Sequence, residues 1–185
     1  MSQFSPADDK LTLADAGFSD DDIYPVGRLD YDSEGLIILT NDNKLIHLLT
    51  SHVVSHSRKY LVQVDGEITD SALSNLKQGV EININGNLYH TKPCTANIID
   101  KPENLAERIP PVRFRASIPT SFVEITLTEG KNRQVRKMLA KVGFSVLRLI
   151  RISISNLHLG NLESGKFLKV SKKFIFERLV TTQPI

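Results

Sequence analysis

Residues 146–154 read Val-Leu-Arg-Leu-Ile-Arg-Ile-Ser-Ile, and this run constrains the fold more than any other feature of the chain. β-Branched and apolar residues at this density form a long strand. Successive side chains of a strand point to opposite faces. Leu147, Leu149 and Arg151 therefore share one face, and Val146, Arg148 and Ile150 share the other. An arginine on each face of so apolar a strand is unusual. A guanidinium pairs readily with a carboxylate or a phosphate; the plainer alternative is an arginine at a strand end that reaches water.

The rest of the chain repeats this strand signal with helices between. Residues 60–64, 80–84, 88–90 and 95–99 read as strands, with turn signals at Asp65-Gly66 and Asn85-Gly86-Asn87. Val123, Ile125 and Leu127 alternate with Glu124 and Thr126, the pattern of a half-buried strand. Residues 36–40 read as one buried strand bounded by Gly35 and Asn41-Asp42, followed by a short helix over 44–50. Thr69 caps a helix whose apolar face is Ala72, Leu73 and Leu76 and which Gly79 ends. Residues 133–142 form a second clear helix, stopped by Gly143. The first 22 residues read as loop and short helix, with Asp20-Asp21-Asp22 a solvated acidic turn, and residues 167–176 as one more strand. Residues 101–120 carry four prolines and four basic residues and read as a linker or flexible arm. Strands dominate and no repeat is visible, an α+β pattern.

Composition narrows the class. In 185 residues, 41% are hydrophobic and 24% charged, the mix of a soluble globular protein rather than a disordered chain. The longest apolar runs, such as 36–39, are too short to cross a bilayer, and no secretory signal opens the chain. The single cysteine, Cys94, excludes an internal disulfide and any Cys-based zinc cluster. A cytoplasmic protein is expected. The five histidines show no ligand spacing, so no metal is expected. No glycine-rich phosphate loop or dinucleotide fingerprint is present. Charge is the informative quantity. Residues 1–107 hold 8 Lys and Arg against 17 Asp and Glu, a net of −9, whereas residues 108–173 hold 14 against 3, a net of +11. A basic half of this density suits a polyanion, nucleic acid first; the alternative is a basic surface balancing an acidic one inside one fold.

Four constellations carry chemistry. Residues 27–35 read Gly-Arg-Leu-Asp-Tyr-Asp-Ser-Glu-Gly. A calcium loop fails here, because the twelfth position is Asn41 rather than Glu. A pair of catalytic carboxylates, a single nucleophilic or basic Asp beside an Arg, and a plain acidic turn remain open. Residues 58–64 feed Arg58 and Lys59 into a strand that starts with Tyr60, an aromatic able to stack on a base between cations that hold phosphate, or simply a Tyr at a strand edge. In the helix after Glu129, Val135, Met138, Leu139 and Val142 form the inward stripe, while Arg133, Lys137 and Lys141 lie on the far side. Arg136 falls between, placed to reach a carboxylate or to snorkel to water. The fourth constellation is the arginine pair of residues 146–151.

Taken in order, GRLDYDSEGLIILTND at 27–42, KYLVQV at 59–64 and EGKNRQVRKMLAKVGFSVLRLIR at 129–151 resemble the RsuA-type pseudouridine synthases, the ribosomal RNA uridine isomerases. The resemblance runs from Gln3 to about Lys169. It implies a mixed, mostly antiparallel central sheet with flanking helices, and two subdomains around a cleft within a single catalytic domain. It implies that Asp30 is the catalytic aspartate, that Tyr60 stacks on the target uracil and takes a proton from C5, that Arg136 forms a salt bridge with Asp30, and that Leu149 packs against the stacked base. Arg28 would fill the space left by a flipped nucleotide. Lys59, Lys131, Arg133, Arg148 and Arg151, with the 108–115 arm, would track phosphates. No cofactor, membrane or dinucleotide is implied, and a monomer is expected.

Two departures bear on the substrate. Family members carry an Asn-Lys-Pro-type strand before the segment matching Gln3-Phe4, and the chain is expected to lack it. Many also carry an N-terminal S4 RNA-binding domain, and the chain is expected to lack that as well. That absence and the proline-rich arm resemble the subgroup acting on large-subunit (23S) rRNA. Another rRNA, a tRNA, or a non-catalytic RNA-binding role in ribosome assembly are the alternatives. A carbohydrate-active enzyme using Asp30 and Asp32 is a poor fit, since alternate residues of an extended segment are badly disposed for a carboxylate pair.

Overall fold

Local capping and alternation place most elements before any long-range packing acts. The computed structural model describes residues 1–6, 8–18, 22–51, 55–112 and 118–179. In chain order these form a 3-10 turn (Leu13–Ala16), β1 (Tyr24–Val26), β2 (Glu34–Gly35), β3 (Ile38–Thr40), α1 (Asn43–Thr50), β4 (Arg58–Asp65), α2 (Asp70–Gln78), β5 (Glu81–Ile84), β6 (Asn87–His90), β7 (Thr95–Ile99), β8 (Thr120–Leu127), α3 (Gln134–Lys141), β9 (Val146–Ile154), β10 (Leu157–His158) and α4 (Lys172–Leu179). The Asp42 side chain accepts the Lys44 and Leu45 amides and starts α1. Thr69 does the same for the Ala72 amide in α2, and Gly79 closes that helix. Each cap satisfies a backbone donor that the helix itself cannot. No helix among the described residues is long and apolar enough to cross a membrane.

The chain divides into two compact units. The second, Ser57–Ile150, is one uninterrupted stretch. Its strands run in the order β9-β4-β8-β7, with β5 and β6 forming a separate hairpin. β4 and β8 pair antiparallel from Arg58↔Leu127 to Asp65↔Thr120, and β7 pairs antiparallel with the other edge of β8. The register sets Val62 opposite Val123 and Tyr60 opposite Ile125, so their side chains share a face. That face is covered by α2 through Ala72, Leu73 and Leu76 and by α3 through Val135, Met138 and Leu139. Leu76 and Met138 are fully buried, and each such side chain contributes roughly 1.5–3 kcal/mol by leaving water.

The first unit joins Met1–His56 to Arg151–Ile185. β1 and β3 pair antiparallel with Val26 opposite Ile38, and β10 folds back antiparallel on the end of β9. Val26, Leu36, Ile38, Leu45 and Leu49 pack with Ile154, Leu157, Ile175 and Leu179. His56 is buried between the Leu48 carbonyl, 3.0 Å from Nε2, and the Ser155 hydroxyl, 3.3 Å from Nδ1. The architecture is α+β with mostly antiparallel pairing, as the sequence implies.

Two sequence expectations are corrected. Residues 36–40 are not one strand: β2 pairs with β9 while β3 pairs with β1, and the chain changes partner at Leu36-Ile37. Residues 167–176 are not a strand either. The alternation of Phe174 and Phe176 yields to the helical spacing of Ile175 and Leu179, which are buried four residues apart in α4. The Ser171 hydroxyl caps the helix by accepting the Phe174 amide at 3.2 Å. Asp20-Asp21 of the acidic turn, His52 and residues 113–117 of the proline-rich arm lie outside the described residues.

Candidate active site

Asp30 sits in a loop that is fastened at both ends. Ahead of it, the Ser2 hydroxyl donates to the Leu29 carbonyl at 2.8 Å and accepts the Leu29 amide at 3.0 Å. The Asp30 carbonyl accepts the Ser33 amide at 3.0 Å and closes a turn. Beyond it, the Leu36 amide donates to the Arg151 carbonyl at 2.9 Å. Gly35 makes this docking possible: a Cβ there would lie 2.4 Å from the Arg151 carbonyl oxygen. The Arg151 guanidinium completes the clamp through Nε, which donates to the Leu36 carbonyl at 2.8 Å. Asp30 is half-buried, while Arg28 and Tyr31 on either side are exposed. The loop backbone is thus fastened, and it carries three half-buried carboxylates, Asp30, Asp32 and Glu34.

Tyr60, Arg136 and Leu149 belong to the second unit. Tyr60 shares the face of Val62 and Val64 on β4 and packs half-buried against the core that contains Leu149. Leu149, on the neighbouring strand β9, is 4% exposed. Arg136 projects from α3, the helix covering this same face, and Nη1 donates to the Val146 carbonyl at 3.5 Å. The three residues that the resemblance singles out in this unit therefore surround one helix-covered face of the sheet.

The residues expected to meet phosphate divide by position. Lys131 and Arg133 are exposed at the start of α3. Arg133 holds a left-handed backbone, φ +50°, at the helix N-cap. Lys59 lies on the opposite face of β4 from Tyr60 and forms a 3.2 Å ion pair with Glu124, its diagonal neighbour on β8. Arg148 and Arg151 are buried, so neither is the strand-end arginine reaching water. Arg148 Nη1 donates to the Ala106 carbonyl at 2.7 Å and fastens the proline-rich segment to β9.

The comparison with known proteins falls on this framework. The family profile described as RNA pseudouridylate synthase matches residues 4–141, a span holding Asp30, Tyr60 and Arg136. The chain belongs to this family. A ribosomal large subunit pseudouridine synthase E of Vibrio parahaemolyticus is 45% identical over 170 residues, 92% of this chain and 69% of that relative. Its counterpart in Xanthomonas axonopodis is 42% identical, over 84% of this chain and 80% of the relative. A crystal structure of a pseudouridylate synthase superposes with a TM-score of 0.75 at 27% identity, covering 94% of this chain and 67% of the other.

For a pseudouridine synthase of this fold, the placement of α3 matters, and sequence reasoning gave no role to the residue that sets it. Glu129 gathers the Tyr89 hydroxyl at 2.5 Å, the Gln134 amide at 2.5 Å and the Lys92 backbone amide at 2.9 Å. Gln134 is buried, and its Oε1 accepts the Lys131 amide at 2.9 Å. Lys131 lies over the Tyr89 ring at 4.9 Å. Burial pushes the Glu129 carboxyl up, but the donated hydrogen bonds and the Lys131 charge outweigh it and hold the group below its usual value. The hub ties the β5–β6 hairpin to the first turn of α3. Its signal in the sequence is a Glu five residues before a Gln that lies on the apolar stripe of the helix.

Proposed function

We propose that the protein isomerises uridine to pseudouridine in large-subunit (23S) ribosomal RNA, with Asp30 as the catalytic residue. The observation that carries the substrate is the kinship across most of the chain with synthases named for the large ribosomal subunit. In the reaction, the bond from uracil N1 to ribose C1′ breaks, the base turns, and a bond from C5 to C1′ forms. N1 gains a proton and C5 loses one, so atoms balance with no other reactant. The Asp30 carboxylate acts at C1′ or C2′ of the ribose, and its fastened loop supports that role. Arg136 pairs with Asp30. Tyr60 receives the flipped base and takes the C5 proton, and Leu149 backs the stack. Arg28 enters the gap left in the RNA. Lys131 and Arg133, exposed beside Arg136 in the chain, hold phosphate; Arg148 and Arg151, which are buried on backbone carbonyls, act as braces. The protein works as a monomer in the cytoplasm.

Tritium release tests this reading. With rRNA labelled at uridine C5, the wild-type protein releases tritium, whereas Asp30→Asn releases none and still binds RNA. Full activity in Asp30→Asn removes the residue from the chemistry. Binding without release by the wild-type protein, from every ribosomal transcript, makes the chain a non-catalytic RNA-binding module.

A further inference from the structure

Every residue from 163 to 173 is exposed, and none of them carries a role in the reaction above. The stretch reads Glu-Ser-Gly-Lys-Phe-Leu-Lys-Val-Ser-Lys-Lys, with four lysines against one glutamate. Phe167, Leu168 and Val170 expose 53%, 72% and 42% of their surface. Single exposed apolar side chains are ordinary, but three within four residues, set among lysines, form a patch. The Phe167 ring is not loose. It rests on Phe18 at a centroid distance of 4.7 Å, and Phe18 meets Phe4 edge-on at 5.9 Å. One side of the ring is seated on the first unit while more than half of the residue remains open. At the C-terminal end, Lys172 is tied down by an ion pair to Asp42, and Lys173 lies 3.9 Å from Glu177 across a turn of α4, both largely exposed.

This chemistry selects the partner. The cores of protein–protein interfaces are depleted of lysine, which here alternates with the apolar side chains. A single-stranded nucleic acid asks for the observed combination: cations for phosphates and an open aromatic face for a base. We infer that residues 163–173 form a docking strip for a single-stranded segment of the substrate RNA, with a base stacked on Phe167 and phosphates on Lys166, Lys169 and Lys173. The inference rests on RNA being the substrate and adds where a flank of it is held.

Binding of fluorescein-labelled oligouridine and of a large-subunit rRNA transcript, measured over a salt series with the full chain, tests the strip. The triple variant Lys166→Ala, Lys169→Ala, Lys173→Ala weakens both. It also makes the slope of log K against log salt shallower by about 2, at ~0.7 per phosphate contact on a single strand. Phe167→Leu, which keeps apolar bulk on Phe18 but loses the flat ring, weakens binding by about five- to a hundredfold, while Phe167→Tyr binds like wild type. Thermal melting confirms that each variant folds. A triple variant with wild-type affinity and slope overturns the strip, including the case where it instead loses a ribosomal protein. Equal binding by the Leu and Tyr variants overturns the stack. Tritium release by the wild-type protein, measured in parallel, separates the two readings. Release with unchanged RNA binding in the variants sinks the strip alone; strip-dependent binding without release sinks the isomerase alone.

Discussion

Replacing Gly35 by Ala is the sharpest test of how the Asp30 loop is held. Gly35 has φ +104°, a region that costs an L-residue about 1–2 kcal/mol. The added Cβ would lie 2.4 Å from the Arg151 oxygen, 2.7 Å from its nitrogen and 2.9 Å from its carbonyl carbon, all backbone atoms of β9. Carbon and oxygen approach comfortably only at roughly 3.3–3.6 Å, so β2 must retreat by about 1 Å. That retreat breaks the Leu36 amide to Arg151 carbonyl bond and the Arg151 guanidinium to Leu36 carbonyl bond. Their loss adds about 0.5–1.5 and 1.5–3 kcal/mol. The total, about 3–6.5 kcal/mol, is a large part of the ~5–15 kcal/mol that holds a domain together. Gly27→Ala supplies the control: its φ of +76° imposes the same backbone strain, but no atom lies within 4 Å of the new Cβ. The chain has no tryptophan, so urea unfolding is followed by far-UV circular dichroism. Gly35→Ala is expected to lose at least twice the stability that Gly27→Ala loses. Equal losses would refute the clash and leave only the φ strain.

Two further outcomes follow from the titratable groups. Burial pushes the Cys94 thiol up to about 11, and its Sγ donates to the Leu76 carbonyl at 3.1 Å; at pH 8, iodoacetamide should modify it on the order of 100-fold more slowly in the folded protein than in urea, and equal rates would contradict the burial. The Glu129 carboxyl is depressed in the folded state, so it contributes stability above its unfolded value of about 4.3, which is lost as pH falls through the lower folded value. Urea midpoints of Glu129→Gln should be lower than wild type at neutral pH and should converge on it in acid; curves that stay parallel would show that the carboxylate charge contributes nothing.

The elements that local chemistry controls are the ones the sequence reveals. β9 and β7 fall where the apolar runs end, and α2 runs between the Thr69 cap and Gly79 as expected. The switch at Leu36-Ile37 is invisible locally, because the partner of Leu36 is Arg151, 115 residues away. β1 and β10, three and two residues long, carry too little pattern to be seen and are defined by their pairing. α4 was hidden by two phenylalanines that mimic strand alternation. Residue type alone left Asp30, Tyr60 and Arg136 open; the family resemblance singled them out, and neither shows what fastens the elements that carry them. Ser2 reaches Leu29 across 27 residues, and Glu129 needs Tyr89 and Lys92 from a distant hairpin. The same limit applies to Arg148 and Arg151: sequence identifies a guanidinium on each face of β9, and only the fold shows the backbone carbonyl that each one meets.

The order in which the two units are assembled from the chain has a consequence during synthesis. The core of the first unit draws Val26, Leu36, Ile38, Leu45 and Leu49 from before Ser57, and Ile154, Leu157, Ile175 and Leu179 from after Ile150. At roughly 5–20 residues per second, residues 57–150 take on the order of 5–20 s to emerge from the ribosome. For that interval the early half of one core waits in water without its complement, and it is still waiting when the unit translated in between has become whole. A nascent chain of this protein therefore offers a holdase its best target before translation ends, in the segment that carries the aspartate loop.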